Sequence, residues 1–179
     1  MEEKKRIRLC RYESPVGPLE IGEDGEGICR ISFGKADSLS IKGNAAVQNS
    51  EEASKEQLPR KEQTPLLQEA IRQLKEYFAG QRKSFDLPLS FYGTEFQKKV
   101  WQALLDIPYG ETRSYGQIAA AVGNPKACRA VGMANHRNEI IIVVPCHRVI
   151  GADGSLTGYG GGLDVKRKLL ELEGIRWHS

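Results

Sequence analysis

One run of five aliphatic residues, Ile140 to Val144, constrains the fold more than any other stretch, because it has no polar alternation at all. If it forms a strand, that strand is covered on both faces. Pro145 cannot extend a ladder hydrogen bond, and Cys146 and His147 follow it directly. A thiol and an imidazole therefore stand where a buried element breaks off, which is where a pocket can open. Taken alone, Cys146 fits as well as a small buried hydrophobe. Its company decides between the two readings.

Adjacent residues make a poor catalytic pair. On a strand i and i+1 point to opposite faces and on a helix they diverge, so Cys146 and His147 need an irregular turn or an intervening water to exchange a proton. A thiol near its reference pKa of about 8.5 is mostly protonated at neutral pH, and the thiolate is the nucleophile. His147 is the nearest base, and a histidine in that role usually has its other ring nitrogen held by a carboxylate. That third group must come from elsewhere in the chain.

The stretch before the run supplies a charge asymmetry. Overall, 26 basic against 23 acidic residues leave only +3. From Thr112 to Asn138, however, there is no acidic residue, while Arg113, Lys126, Arg129 and Arg137 are basic. Ser114-Tyr-Gly-Gln117 has the form of a helix start through Ile118, Ala119 and Val122. Gly123-Asn124-Pro125 gives a tight turn, and Pro125 is expected to open a second helix through Arg129, Val131 and Met133. A short helix, a three-residue turn and a second helix outline a helix-turn-helix, although any two packed helices share that outline. The one-sided charge favours a surface for phosphates.

The earlier part of the chain reads as a small antiparallel sheet over residues 6 to 33, with Ile7, Leu9 and Arg11 alternating against polar neighbours. Turns are expected at Pro15 to Pro18 and at Glu23 to Gly27, with Leu19 and Ile21 between them. From Gly34 to Gln63 the composition buries little and reads as a long surface loop. Thr64 and Pro65 then cap and open a helix whose inward stripe is Leu67, Ala70, Ile71, Leu74 and Phe78. Phe85 to Leu89 is short and extended. Thr94 and Gln97 form a capping box for a helix burying Phe96, Val100, Ala103 and Leu104.

Beyond the Cys-His segment, the glycine-rich run Gly158-Tyr-Gly-Gly-Gly162 lets backbone approach something closely. No Gly-Lys-Ser or Gly-Lys-Thr follows, so it is not a nucleotide-phosphate loop. Leu163 to Leu172 is a last helix carrying a basic patch, Lys166-Arg-Lys168. Glu173 sits at its carboxyl end, where the helix dipole disfavours a carboxylate, and is the place to look for the partner of His147. At 179 residues and 40% hydrophobic the chain can bury a sizeable core as one domain or two small ones. Four scattered cysteines without C-x-x-C suggest neither a zinc module nor a disulfide framework and fit a reducing interior. With no signal-peptide pattern and no membrane-length apolar run, a cytoplasmic protein that does not engage membranes is expected, nuclear in a eukaryote.

The residues resemble those of the O6-alkylguanine-DNA alkyltransferases, the methylated-DNA-protein-cysteine methyltransferases. The resemblance is carried by Pro145-Cys-His-Arg-Val149, by Asn138 before it, and by Gly158-Tyr-Gly-Gly-Gly-Leu163 with Leu169-Leu-Glu-Leu-Glu-Gly174 after it. Gly93-Thr-Glu-Phe-Gln97, Ile107-Pro-Tyr-Gly-Glu-Thr112, Asn124-Pro-Lys-Ala127 and Arg129-Ala-Val-Gly132 support it. It is close from Phe85 to Gly174 and looser before that. It implies an α/β (α+β) fold in which a small ribonuclease H-like domain, residues 1–85, precedes a mainly helical DNA-binding and alkyl-acceptor domain, residues 86–179.

The implied function is direct reversal of DNA damage. O6-alkylguanine, or alternatively O4-alkylthymine, is flipped from double-stranded DNA and its alkyl group passes irreversibly to Cys146, once per molecule. By resemblance His147 acts through a bound water, Glu173 orients His147, Asn138 braces the active-site turn, and Tyr115 hydrogen-bonds the flipped base. The backbone at Cys146, Val149 and Gly160 reads the base, and Tyr159 belongs to the same pocket. Arg129 fills the gap in the stack from a helix that enters the minor groove, with Arg113, Ser114, Lys126 and Ala127 contacting DNA. No metal or cofactor is expected, and the protein is expected to act as a monomer. Two departures stand out: Glu139 replaces the usual proline after Asn138, and Cys128 lies beside Arg129 where a smaller residue is common. A cysteine hydrolase and a binding-only alkyltransferase-like protein are the competing readings. The first would turn over, and the second lacks the acceptor cysteine present here.

Overall fold

A computed structural model describes residues 5–34 and 63–177. Three strands, β1 (Arg8–Ser14), β2 (Gly17–Glu23) and β3 (Ile28–Phe33), form an antiparallel meander in the order β1-β2-β3. The inward face of β1 differs from the alternation expected for Ile7, Leu9 and Arg11. Cys10 is buried and Ile7 is half exposed. The reason lies across the pair: Leu9 faces Gly22, where a Cβ would stand only 2.8 Å from Leu9 Cδ2. The aliphatic side chains of Leu9 and Ile7 cover that glycine on the outer face, leaving Cys10 for the core. The expected surface loop at 34–63 lies, except for its ends, outside the described residues.

Helix α1 (Pro65–Phe78) starts where Thr64 accepts the Leu67 N–H and Pro65 takes the first turn. Its buried face is Leu67, Ala70, Gln73, Leu74 and Tyr77, rotated from the expected stripe so that Tyr77 replaces Phe78. Leu89 adds an isolated parallel bridge to Ile28. Helix α2 (Glu95–Leu105) begins with the expected Thr94–Gln97 capping box. A second capping box, Ser114–Gln117, starts α3 (Tyr115–Ala121).

The second helix of the pair, α4 (Cys128–His136), begins three residues later than expected from Pro125, and Ala127 offers no side-chain cap. Six residues, 122–127, therefore separate α3 from α4. Trp101 Nε1 donates to the Ala134 carbonyl at 2.8 Å and fixes α4 against α2. Helix α5 (Leu163–Leu172) closes the chain. One apolar core runs from the sheet through α1 and α2 to the Ile140–Val144 run and α5. No helix among the described residues is long and apolar enough to cross a membrane.

Candidate active site

The aliphatic run is buried, as its composition requires, but it is not a strand. Only Ile140, Ile141 and Val144 make isolated bridges, and the backbone between them folds on itself. Val143 N–H donates to Ile141 O at 2.8 Å around Ile142, whose φ is +71°. Cys146 N–H donates to Val144 O at 2.8 Å around Pro145, at φ −83° and ψ 63°. These are two successive γ-turns of opposite sense. A β-branched residue at positive φ is strained by about 1–3 kcal/mol and persists only where its surroundings hold it.

The holding groups can be named. Asn138 Nδ2 donates to Val144 O and Asn138 Oδ1 accepts from Ile140 N–H, both at 2.9 Å. From the other side, strand β3 clasps the turn: Ile31 N–H donates to Glu139 O at 2.8 Å and Ile141 N–H to Ile31 O at 3.0 Å. Glu139 thus enters the brace through its carbonyl, and the stiffness of the turn comes from Asn138 and β3.

The turn delivers Cys146, His147 and Arg148 into a single 3-10 turn (Cys146–Arg148), followed by strand β5 (Val149–Ile150). Strand β5 pairs in parallel with β4 (Arg113–Ser114), and this pairing brings the start of α3 beside the cysteine. Cys146 is 4% exposed, yet it lines a cavity of about 50 Å³ together with Tyr115, Asn135, Asn138, Tyr159 and Gly160 among others. The glycine run lies over this cavity. A Cβ on Gly161 would stand 2.3 Å from the Phe33 ring, so only glycine lets the loop settle on β3. Phe33 also packs edge-on against Tyr159, with centroids 6.1 Å apart.

The carboxylate sought for His147 is Glu173, the C-cap of α5. His147 Nε2 meets Glu173 Oε2, and both side chains are wholly buried. Tyr77 donates its hydroxyl to the same oxygen at 3.0 Å, and Arg148 Nε donates to Oε1 at 2.6 Å. Burial pushes the Glu173 carboxyl up, but His147 and Arg148 outweigh it and hold it below the usual range. It is therefore an acceptor, and the ring nitrogen facing it must carry hydrogen. Burial holds His147 below its ordinary pKa despite Glu173, so the ring is neutral at pH 7. That leaves Nδ1 as the basic nitrogen, and it is buried with no hydrogen-bond partner.

Burial pushes the Cys146 thiol up to about 11, against the opposing pull of the Asn138 amide, the Lys166 ammonium and nearby backbone N–H groups. The resting thiol is protonated and needs a base. Lys166, the first residue of the basic patch on α5, is completely buried. Its ammonium donates to Val149 O at 2.7 Å and to Thr157 O at 3.3 Å, tying strand β5 to the segment that leads into Tyr159. Burial draws its pKa down to about 8, with Cys146 resisting.

The other residues singled out in the sequence fall into two groups. Tyr115, Tyr159 and Gly160 line the cavity with Cys146, the Tyr115 hydroxyl bonded to Thr157 Oγ1 at 2.6 Å, while Val149 is buried in β5 with its carbonyl accepting from Lys166. Arg113, Ser114, Lys126, Ala127 and Arg129 lie along the helix pair. Arg129 and Lys126 are exposed, Arg113 pairs with Glu111 at 2.9 Å, and the Ser114 side-chain oxygen caps α3. Tyr77, Asn135, Arg148, Thr157 and Lys166 were not anticipated. Arg148 had one available signal: an arginine inside an apolar segment needs a buried acid.

Two family models match the chain: the DNA binding domain of 6-O-methylguanine DNA methyltransferase over residues 95–175, and its ribonuclease-like domain over residues 7–91. A methylated-DNA–protein-cysteine methyltransferase of Methanosarcina acetivorans is 53% identical over 163 residues, 91% of this chain and 96% of the relative. The constitutive methylated-DNA–protein-cysteine methyltransferase of Bacillus subtilis is 52% identical over 166 residues, 92% of this chain and 94% of the relative. Among solved structures, Mycobacterium tuberculosis OGT in complex with DNA aligns with a TM-score of 0.74 at 45% identity, covering 92% of this chain and 91% of that one.

Proposed function

The chain belongs to the 6-O-methylguanine DNA methyltransferase family, and on that premise we propose that it draws O6-alkylguanine out of duplex DNA through the minor groove and takes the alkyl group irreversibly onto Cys146. The observation that carries this reading is the pairing of a cavity-lining cysteine with the buried His147–Glu173 couple beside it. A protonated thiol, a neutral imidazole with a free Nδ1 and a fixed carboxylate are the parts that thiolate generation on demand requires.

The reaction balances without a cofactor. His147 Nδ1 takes the thiol proton, through a water where the turn keeps the two side chains apart. The sulfur forms a bond to the alkyl carbon as the bond from that carbon to O6 breaks, and the electron pair passes into the guanine ring. The Tyr115 hydroxyl stabilises the charge developing on the base, and the departing guanine regains one proton. A thioether has no easy leaving path, so each molecule acts once.

On this reading α4 enters the minor groove, Arg129 fills the gap in the stack, and Arg113, Ser114, Lys126 and Ala127 meet the backbone. Flipping costs a few kcal/mol, least where the pair is already weakened by alkylation. O4-alkylthymine is a second candidate substrate. The protein acts as a monomer in the compartment that holds DNA, the cytoplasm of a cell without a nucleus. A division near residue 85 separates the ribonuclease-like part from the part carrying Cys146.

Duplex DNA carrying labelled O6-methylguanine tests the reading. The expected result is a single burst of label transfer equal to the protein present, abolished in Cys146→Ala while DNA binding remains. Continued turnover with released product would identify a hydrolase instead.

A further inference from the structure

We infer that Tyr77, on α1 and 96 residues from Glu173, is a positioning residue for the reaction, a role that rests on the function proposed above. Its hydroxyl shares Glu173 Oε2 with His147 and so sets how readily that histidine takes the thiol proton. Tyr77 is completely buried. Its ring packs against Phe78, Phe85 and Tyr109, with centroids 5.3, 5.4 and 6.2 Å away. Phenylalanine would fill such an aromatic cluster without burying a hydroxyl, so the hydroxyl needs its own account. It donates to Glu173 Oε2 at 3.0 Å. Burial and the neighbouring carboxylate hold the hydroxyl protonated, and Glu173 is ionised, so the direction of the bond is fixed.

Three donors converge on this one carboxylate: His147 Nε2 and Tyr77 on Oε2, and Arg148 Nε on Oε1 at 2.6 Å. A second donor on Oε2 takes a share of that oxygen's charge, which weakens the pull of Glu173 on the imidazole. The other groups facing the couple do not substitute for Tyr77. Arg148 occupies the opposite oxygen, and Lys166 on α5 acts on His147 as a like charge without touching Glu173. Tyr109 spends its hydroxyl on the Leu172 carbonyl at 3.1 Å, and the buried Tyr159 hydroxyl has no hydrogen-bond partner. Cys146 is the source of the proton. The ribonuclease-like part of the chain, residues 7–91, thus reaches the reacting group through Tyr77, and His147 stays neutral until the thiol offers its proton.

Tyr77→Phe removes the oxygen and keeps the ring. Two readouts are taken between about pH 5 and 8, where histidine changes charge: single-turnover methyl transfer from duplex DNA carrying O6-methylguanine, and the titration of the His147 ring followed by NMR at its Cε1 proton. Transfer needs neutral His147, so its rate falls as pH drops through the pKa of that ring. Without Tyr77 on the same oxygen, Glu173 holds the imidazolium more firmly. The acid limb of the rate and the His147 titration are both expected to move up by about half to one pH unit, the worth of one hydrogen bond. Phe85→Leu loosens the same aromatic cluster but leaves the hydroxyl, and is expected to lower stability while moving neither. Tyr77→Met also lacks the hydroxyl and is read in the same way if Tyr77→Phe does not fold. A His147 titration that stays in place or moves down in the variants lacking the hydroxyl overturns the role and leaves Tyr77 as packing. A titration that moves without the acid limb overturns it too. Absence of methyl transfer to wild-type protein would instead overturn the function on which the role rests, and the histidine titration, which needs no DNA, is still read.

Discussion

Glu173→Gln removes one charge from the centre of the site and changes its shape hardly at all. Donors from His147 and Tyr77 converge on Oε2, and Arg148 donates to Oε1 at 2.6 Å. An amide offers one oxygen, and its NH2 must face either Arg148 or the His147–Tyr77 pair, so a buried donor is left facing a donor. Arg148 is only 6% exposed and loses its counter-charge. Removing one member of a buried ion pair costs about 3–5 kcal/mol, a large part of the roughly 5–15 kcal/mol that holds a domain folded. With a urea slope of about 2 kcal/mol/M, the unfolding midpoint should fall by roughly 1.5–2.5 M. The Glu173 carboxyl lies below its ordinary pKa, so its contribution is complete above the unfolded value and is lost as pH falls through the folded one. The gap between wild type and variant should therefore narrow in acid. The double variant Glu173→Gln/Arg148→Met should recover stability, because no unpaired charge remains. A midpoint within about 0.5 M of wild type, or a double variant as unstable as the sum of the singles, would refute the reasoning.

Asn138→Ala leaves Ile140 N–H unpaired and takes one of its two donors from Val144 O, which keeps Cys146 N–H, and is expected to cost about 1–3 kcal/mol, the penalty for one unpaired buried group. Urea unfolding checks this, and transfer should slow because the turn no longer holds Cys146. Lys166→Met removes the cation that favours the thiolate, so alkylation of Cys146 by iodoacetamide should slow by roughly tenfold for each unit its pKa rises. That difference is greatest below about 8, where Lys166 is charged, and shrinks as pH rises past it; equal rates throughout would remove the electrostatic role. Arg129→Ala should slow repair of duplex by roughly 10- to 100-fold, the worth of the few kcal/mol that unstacking takes, with much less effect on the free base. Equal losses on both substrates would dismiss the finger.

What the sequence displayed best was local chemistry. The Thr94–Gln97 and Ser114–Gln117 capping boxes are read from residue types at fixed spacing, and both form as expected. Glu173 was found because a catalytic histidine needs a carboxylate, whatever its distance along the chain. Side-chain facing was harder to read. Tyr77 displaced Phe78 on α1 because one element of the partner surface is Glu173, 96 residues away, and no local pattern carries that. The composition of Ile140–Val144 shows burial, while whether it runs as a strand is left open, because periodicity reports burial and not path. Its γ-turns depend on Asn138 and on clasping by β3. Lys166 sits among charged neighbours, and only the folded loop shows its ammonium enclosed by the carbonyls of Val149 and Thr157.

The most direct measurement is peptide mapping by mass spectrometry after incubation with duplex DNA bearing O6-methylguanine. The expected result is one methyl group on the peptide containing Cys146, in proportion to lesion consumed, with Cys10, Cys29 and exposed Cys128 unmodified. Lesion loss with an unmodified Cys146, or methyl found on Cys128 instead, would contradict the assignment of the acceptor.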